Sequence, residues 1–137
     1  MKPLLLVVLT GCLPFEPPPA AERMAGEYFF ADYAWAWTHC ASTAATAPDI
    51  PARSLTWYRV PLTGGARAFT VDGVTAWGWF HRSSRSVYVA DWVVEEPSTL
   101  ARWVRVHELL HAQTGLEGHP PLFAACRERL FAEGDAP

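Results

Sequence analysis

Positive charge is scarce and dispersed in this chain. Its single lysine is Lys2, its other basic residues are scattered arginines, and the formal charge is −3. Without a basic run there is no electrostatic footprint for nucleic acid, so that class of partner is excluded. The apolar stretch near the start, residues 4–9, is too short to cross a bilayer as a helix. Charged residues make up only 18% of the chain against 50% apolar, which excludes a disordered protein. No internal repeat is visible. At 137 residues the chain is one domain, large enough to bury a core without help from metal or disulfides.

The start of the chain has an address of its own. Met1-Lys2-Pro3 is a short positive start, followed by the apolar stretch and then Leu9-Thr10-Gly11-Cys12. That sequence resembles the lipobox of bacterial lipoprotein signal peptides, and the alternatives are an ordinary secretory leader or a buried first strand. The resemblance implies a signal peptide over residues 1–11, removed before Cys12, whose thiol then carries a diacylglycerol. Residues 12–21 would form a stiff proline-rich tether holding the domain, residues 22–137, off a membrane surface. The expected location is the bacterial cell envelope, facing the periplasm or the exterior. Leu13, where aspartate commonly retains such proteins at an inner membrane, leans toward the outer one.

With Cys12 set aside, Cys40 and Cys126 are the remaining two of three cysteines in a chain bound for an oxidising compartment. A disulfide between them would close a loop of most of the domain and stabilise it by roughly 4 kcal/mol. Two buried thiols, or Cys126 as a metal ligand, are the alternatives.

Hydrophobic periodicity predicts an α+β domain. Residues 22–46, rich in alanine and aromatics, read as a two-part helix ended by Pro48 and Pro51. From residue 54 the period becomes two. Strands are expected over 54–60, 66–71, 74–81 and 86–91, with a hairpin at Asp72-Gly73 and a second turn at Ser83-Ser84. Short connections suggest a four-stranded antiparallel meander. Glu95, Glu96, Pro97 and Ser98 then open a helix carrying Leu100, Val104, His107, Leu110 and His111 on one inward stripe, stopped by Gly115. Pro120-Pro121 starts a last helix, with Leu122, Phe123, Cys126 and Leu130 on its packing side.

Chemistry concentrates in His107-Glu108-Leu109-Leu110-His111. On a helix, residues four apart share a face, so both imidazoles can reach one metal ion. The intervening glutamate is then placed to act as base toward a metal-activated water. Catalytic zinc takes three protein ligands and keeps a fourth position open. His119, beyond the glycine turn, is the best third ligand, and Glu117 and Glu128 are the alternatives. Simple core histidines, a surface His119 and a Glu108–Arg105 ion pair are the plainer readings of the same residues.

This pattern resembles the zincin metallopeptidases. The spacing departs from the metzincin branch, whose glycine and third histidine follow more closely. A distant helix-borne glutamate of the thermolysin kind is lacking unless Glu128 fills that place. The chain is also similar to a group of small bacterial lipoproteins, through Trp57-Tyr58, Val106-His107-Glu108, Leu110-His111, Gly118-His119-Pro120, Phe123 and Cys126. The resemblance implies a minimal zincin-like fold and Zn2+ on His107, His111 and His119, with Glu108 as general base in peptide-bond hydrolysis.

In zincins an edge strand beside the active helix holds an extended peptide; here that role would fall to residues 86–90 or a neighbouring strand. Tyr88 and His81 could polarise an oxyanion, though core packing or a plain surface position is the more ordinary reading of both. Trp77 and Trp79, with Trp57 near them, could form a sugar-binding platform or simply fill the core. The rival functions are a non-catalytic lipoprotein using zinc as a clasp between its last two helices, and an envelope-binding module without metal. Expected partners are membrane lipid through Cys12 and a peptide or protein substrate.

Overall fold

Pairing between distant strands decides the architecture. The computed structural model of the protein describes residues 14–134; the expected leader and Cys12 lie outside the described residues. Its elements are β1 (Glu22–Met24), α1 (Phe30–His39), β2 (Thr56–Val60), β3 (Phe69–Val71), β4 (Val74–Ala76), β5 (Gly78–His81), β6 (Ser86–Ala90), α2 (Asp91–Glu95), α3 (Thr99–Thr114) and α4 (Pro121–Glu133). The fold is α+β, with four helices, a four-stranded sheet and a two-stranded one.

The expected meander is corrected. The main sheet runs β1-β2-β6-β5, and β2 pairs with β6 in parallel. The Asp72-Gly73 hairpin forms, but β3 and β4 pair only with each other. The single strand expected over 74–81 breaks at Trp77, so β4 belongs to the hairpin and β5 to the main sheet. β6 is buried along its whole length, which suits a central strand lying between two neighbours. It is therefore not the edge. β5 is, pairing with β6 on one side only.

The helix expected over 22–46 is also narrower. Residues 22–24 are strand β1, antiparallel to β2, and 3-10 turns flank α1 on both sides. Short helix α2 was not foreseen. It takes up Glu95, so the acids do not sit in the first turn of α3, which is capped by Ser98 Oγ accepting from the Ala101 amide at 3.1 Å.

Helix α3 forms the spine of the helical layer. Its Val106, Leu109, Leu110, Ala112 and Gln113 are buried, and α1, α2 and α4 all pack against it. Asp32 of α1 pins the first of these contacts, accepting from Arg105 Nε at 2.7 Å and Arg102 Nε at 3.3 Å. The last carbonyls of α3 are satisfied by the Asp49 and Ile50 amides, at 2.8 Å to Gln113 and 3.0 Å to Ala112. The Cys40–Cys126 disulfide joins the end of α1 to α4, with Cα atoms 5.5 Å apart, and excludes Cys126 as a metal ligand.

The proline-rich segment does not stand off the domain where it is described. Phe15 stacks on His81 with ring centroids 3.8 Å apart and lies 5.9 Å from Tyr88, and Pro18 is buried. Tyr88 in turn stacks on Tyr58. Among the described residues no helix is long and apolar enough to cross a membrane.

Candidate metal centre

Helix α3 places His107 and His111 one turn apart, and its C-terminal cap brings the third histidine to them. Gly115 adopts the left-handed conformation (φ +69°) and donates its amide to the His111 carbonyl at 3.1 Å. The reversed chain turns the Leu116 carbonyl back onto His111 Nδ1, 2.9 Å away. A carbonyl only accepts, so Nδ1 carries the proton and Nε2 keeps its lone pair free. Three residues on, His119 Nε2 lies 3.0 Å from His107 Nε2.

Ring nitrogens of His107, His111 and His119 all fall within 4.8 Å of one another, so the three could hold a metal ion. Phe123 of α4 packs against all three rings, at centroid distances of 5.1, 4.7 and 5.6 Å. Trp103, one turn before His107, meets that ring edge-on at 5.4 Å. Burial, aided by the neighbouring imidazoles, pulls the His107 pKa down to about 4. Burial lowers that of His111 as well. Both are therefore neutral and ready to donate a lone pair at pH 7.

The other proposed ligands do not converge. Glu117 is exposed on the rim of the cleft and Glu128 is exposed on α4; neither joins the histidine group. The inward stripe needs adjustment too. The two α3 histidines are only half-buried, facing a cleft, whereas Glu108 between them is 7% exposed.

Glu108 is not paired with Arg105, whose guanidinium is held by Asp32 and the Val93 carbonyl. Its carboxylate lies instead against the open edge of β5. Trp77 and Ala90 form a hydrogen-bonded pair, so in the antiparallel alternation Gly78 and Phe80 turn their backbone groups away from β6. The Phe80 amide donates to the Glu108 carboxylate. Gly78 leaves the necessary room: a Cβ there would sit 2.9 Å from both Cγ and Oε1 of Glu108 and 3.0 Å from Val104 Cγ1. Burial pushes the Glu108 pKa up to about 8, the Phe80 amide opposing it.

These shifts give the metal-free protein a pH-dependent stability. From the ordinary value of 4.5 up to about 8, the fold holds a Glu108 proton that the unfolded chain has released, so stability falls as pH rises through that window. His107 acts oppositely: stability falls as pH drops from 6.5 through about 4. In chelator, Glu108→Gln is expected to exceed wild type in stability by on the order of 3 kcal/mol at pH 9 and to match it near pH 5. Urea melts at the two pH values check this; a constant difference would mean that Glu108 ionises freely in the fold.

Histidines and glutamate open on one cleft of about 750 Å³, walled by α3, the β4–β5 segment and the loop 115–119. Trp77 and Trp79 line it, while Trp57 is buried elsewhere, stacked on Phe29. Tyr88 and His81 do not line it; they lie under Phe15, so neither faces a substrate here. Sequence reasoning missed Trp103, Gly78, the Phe80 amide and the Leu116 carbonyl. Only Trp103, at helical spacing from His107, left a signal that periodicity could have read.

Comparison with family models, curated proteins and solved structures gives no match. Geometry alone carries the functional reading.

Proposed function

We propose that this protein is a lipid-anchored zinc metallopeptidase of the cell envelope, with a minimal zincin-like fold, hydrolysing peptide or related amide bonds. The observation that carries the reading is the convergence of three imidazoles beside a buried carboxylate that has no cationic partner among the described residues. Ligand bonds near 2 Å in a tetrahedron put donor nitrogens about 3.3 Å apart, and the 3.0 Å His107–His119 separation suits that. Three imidazoles are also a donor set that zinc favours, and the Leu116 carbonyl orients one of them. His107, His111 and His119 would hold the ion.

Bound zinc would lower the pKa of a water to about 7 and polarise the scissile carbonyl. The residues of the chain do the rest. Glu108, held by Phe80 and Gly78, takes the proton of the attacking water and delivers it to the leaving amine. In the metal-free fold Glu108 keeps its proton up to about pH 8, and the positive charge of a bound ion would favour the carboxylate, the form that acts as base. The lipid anchor is supported by the Leu9-Thr10-Gly11-Cys12 sequence.

A structural clasp is the second reading, since His119 lies in the connection between α3 and α4. Structural zinc usually has four protein ligands, and only three gather among the described residues. The disulfide already secures α4. Wild-type protein is expected to cleave members of a mixed peptide library, and Glu108→Gln to lose cleavage while retaining its zinc. Equal inertness of the two zinc-loaded proteins, read by mass spectrometry of the library, would remove the peptidase reading and leave the clasp.

A further inference from the structure

Among the described residues, three of the five exposed large hydrophobic side chains lie on the histidine-lined cleft: Val74 at 48%, Trp77 at 43% and Leu116 at 39% exposure. Scattered surface apolars need no explanation, but a cluster on the rim of one concave site marks a recognition surface. The aromatic wall is preorganised, with Trp77 edge-on to Trp92 at 5.6 Å and Trp103 edge-on to His107 at 5.4 Å.

Charge narrows the occupant further. Among the described residues Arg82 is the one arginine or lysine lining the cleft, and it is engaged by Asp49. Glu117 and Glu108 line the same space. An acidic side chain seated against the tryptophans and Leu116 would lose its hydration there, with the cleft's described arginine already paired to Asp49. A sugar would find aromatic faces but few free polar groups between them.

We infer that the cleft recognises an extended peptide through one bulky apolar side chain, seated against Trp77, Trp103 and Leu116 beside His107, and discriminates against acidic side chains. The inference rests on the peptidase reading for the nature of the backbone that carries this side chain. Burying a Leu- or Phe-sized group in such a wall should favour it roughly ten- to a hundredfold over an aspartate.

The test is calorimetric binding of short peptidyl hydroxamates, alike except for one side chain (Leu, Phe, Lys or Asp), to the zinc-loaded full chain. Leu and Phe are expected to bind tightest, with Asp weakest. Trp77→Ala and Val74→Ser, both at exposed positions, should erase the preference with zinc content and folding unchanged. Equal affinities, a preference for Asp, no binding of any hydroxamate, or tighter binding of an oligosaccharide or of phosphatidylcholine vesicles would each overturn the inference. Selective binding without cleavage of any peptide would sink the peptidase reading alone; cleavage without side-chain preference would sink this inference alone.

Discussion

His107→Ala is expected to bind zinc roughly a few hundredfold more weakly than wild type. Structural zinc sites with four protein ligands bind with about 10–16 kcal/mol, or about 3–4 kcal/mol per ligand, and each 1.4 kcal/mol is tenfold. His107 is the ligand whose loss should weigh most. It is half-buried, touches His111, His119, Trp103 and Phe123, and is already deprotonated at pH 7. Its removal leaves two nitrogens, one of them on an exposed loop residue. Competition with a chromophoric chelator at pH 7 reads the change directly. Glu117→Ala and Glu128→Ala should leave the affinity where it was, because neither carboxylate approaches the cluster. Undiminished zinc in His107→Ala, or a loss on removing either glutamate, would mean that the ligand set is wrong.

Removing the disulfide is expected to have the largest effect on stability. Cys40 and Cys126 are 86 residues apart in sequence, and closing a loop of that size removes about 4.5 kcal/mol of unfolded-chain entropy. For a domain of this length that corresponds to a fall in Tm on the order of 15–20 °C. Little else compensates at that end of α4. Phe123 and Leu130 are buried, while Arg129 to the His39 carbonyl at 3.3 Å and Trp35 to Glu133 are exposed contacts. Thermal melts of wild type against the Cys40→Ser/Cys126→Ser double variant measure the difference. A shift of only a few degrees would place the holding of α4 in its packing rather than in the covalent link.

Much of the site was legible because its signals are local. His107 and His111 are fixed by helical spacing, Gly115 by the left-handed turn that ends a helix, and Ser98 by its capping hydroxyl. Convergence of His119 followed from a short connection after that turn. The sheet was less legible because pairing is a long-range choice. Residues 56–60 and 86–90 read correctly as strands, yet nothing in either says that they lie side by side and parallel. The unbroken apolar run Val87-Tyr88-Val89-Ala90 suits a strand buried on both faces, but the short connections favoured a meander. β1 was hidden because three residues beside an alanine-rich helix carry too little period to declare themselves. Gly78 was illegible for another reason: its missing side chain acquires meaning only once Glu108 arrives from α3.

Phe15 on His81 also sets a scale for where this protein can act. With the proposed acyl group on Cys12, two residues would separate the lipidated cysteine from Phe15, three steps along the chain or at most about 11 Å fully extended. A leash of that length leaves almost no vertical freedom. A domain of this size is roughly 35 Å across, so under the proposed anchoring its working range would be a thin layer hugging the bilayer. Any chain it cuts would have to lie in that layer or be delivered there, whatever its sequence.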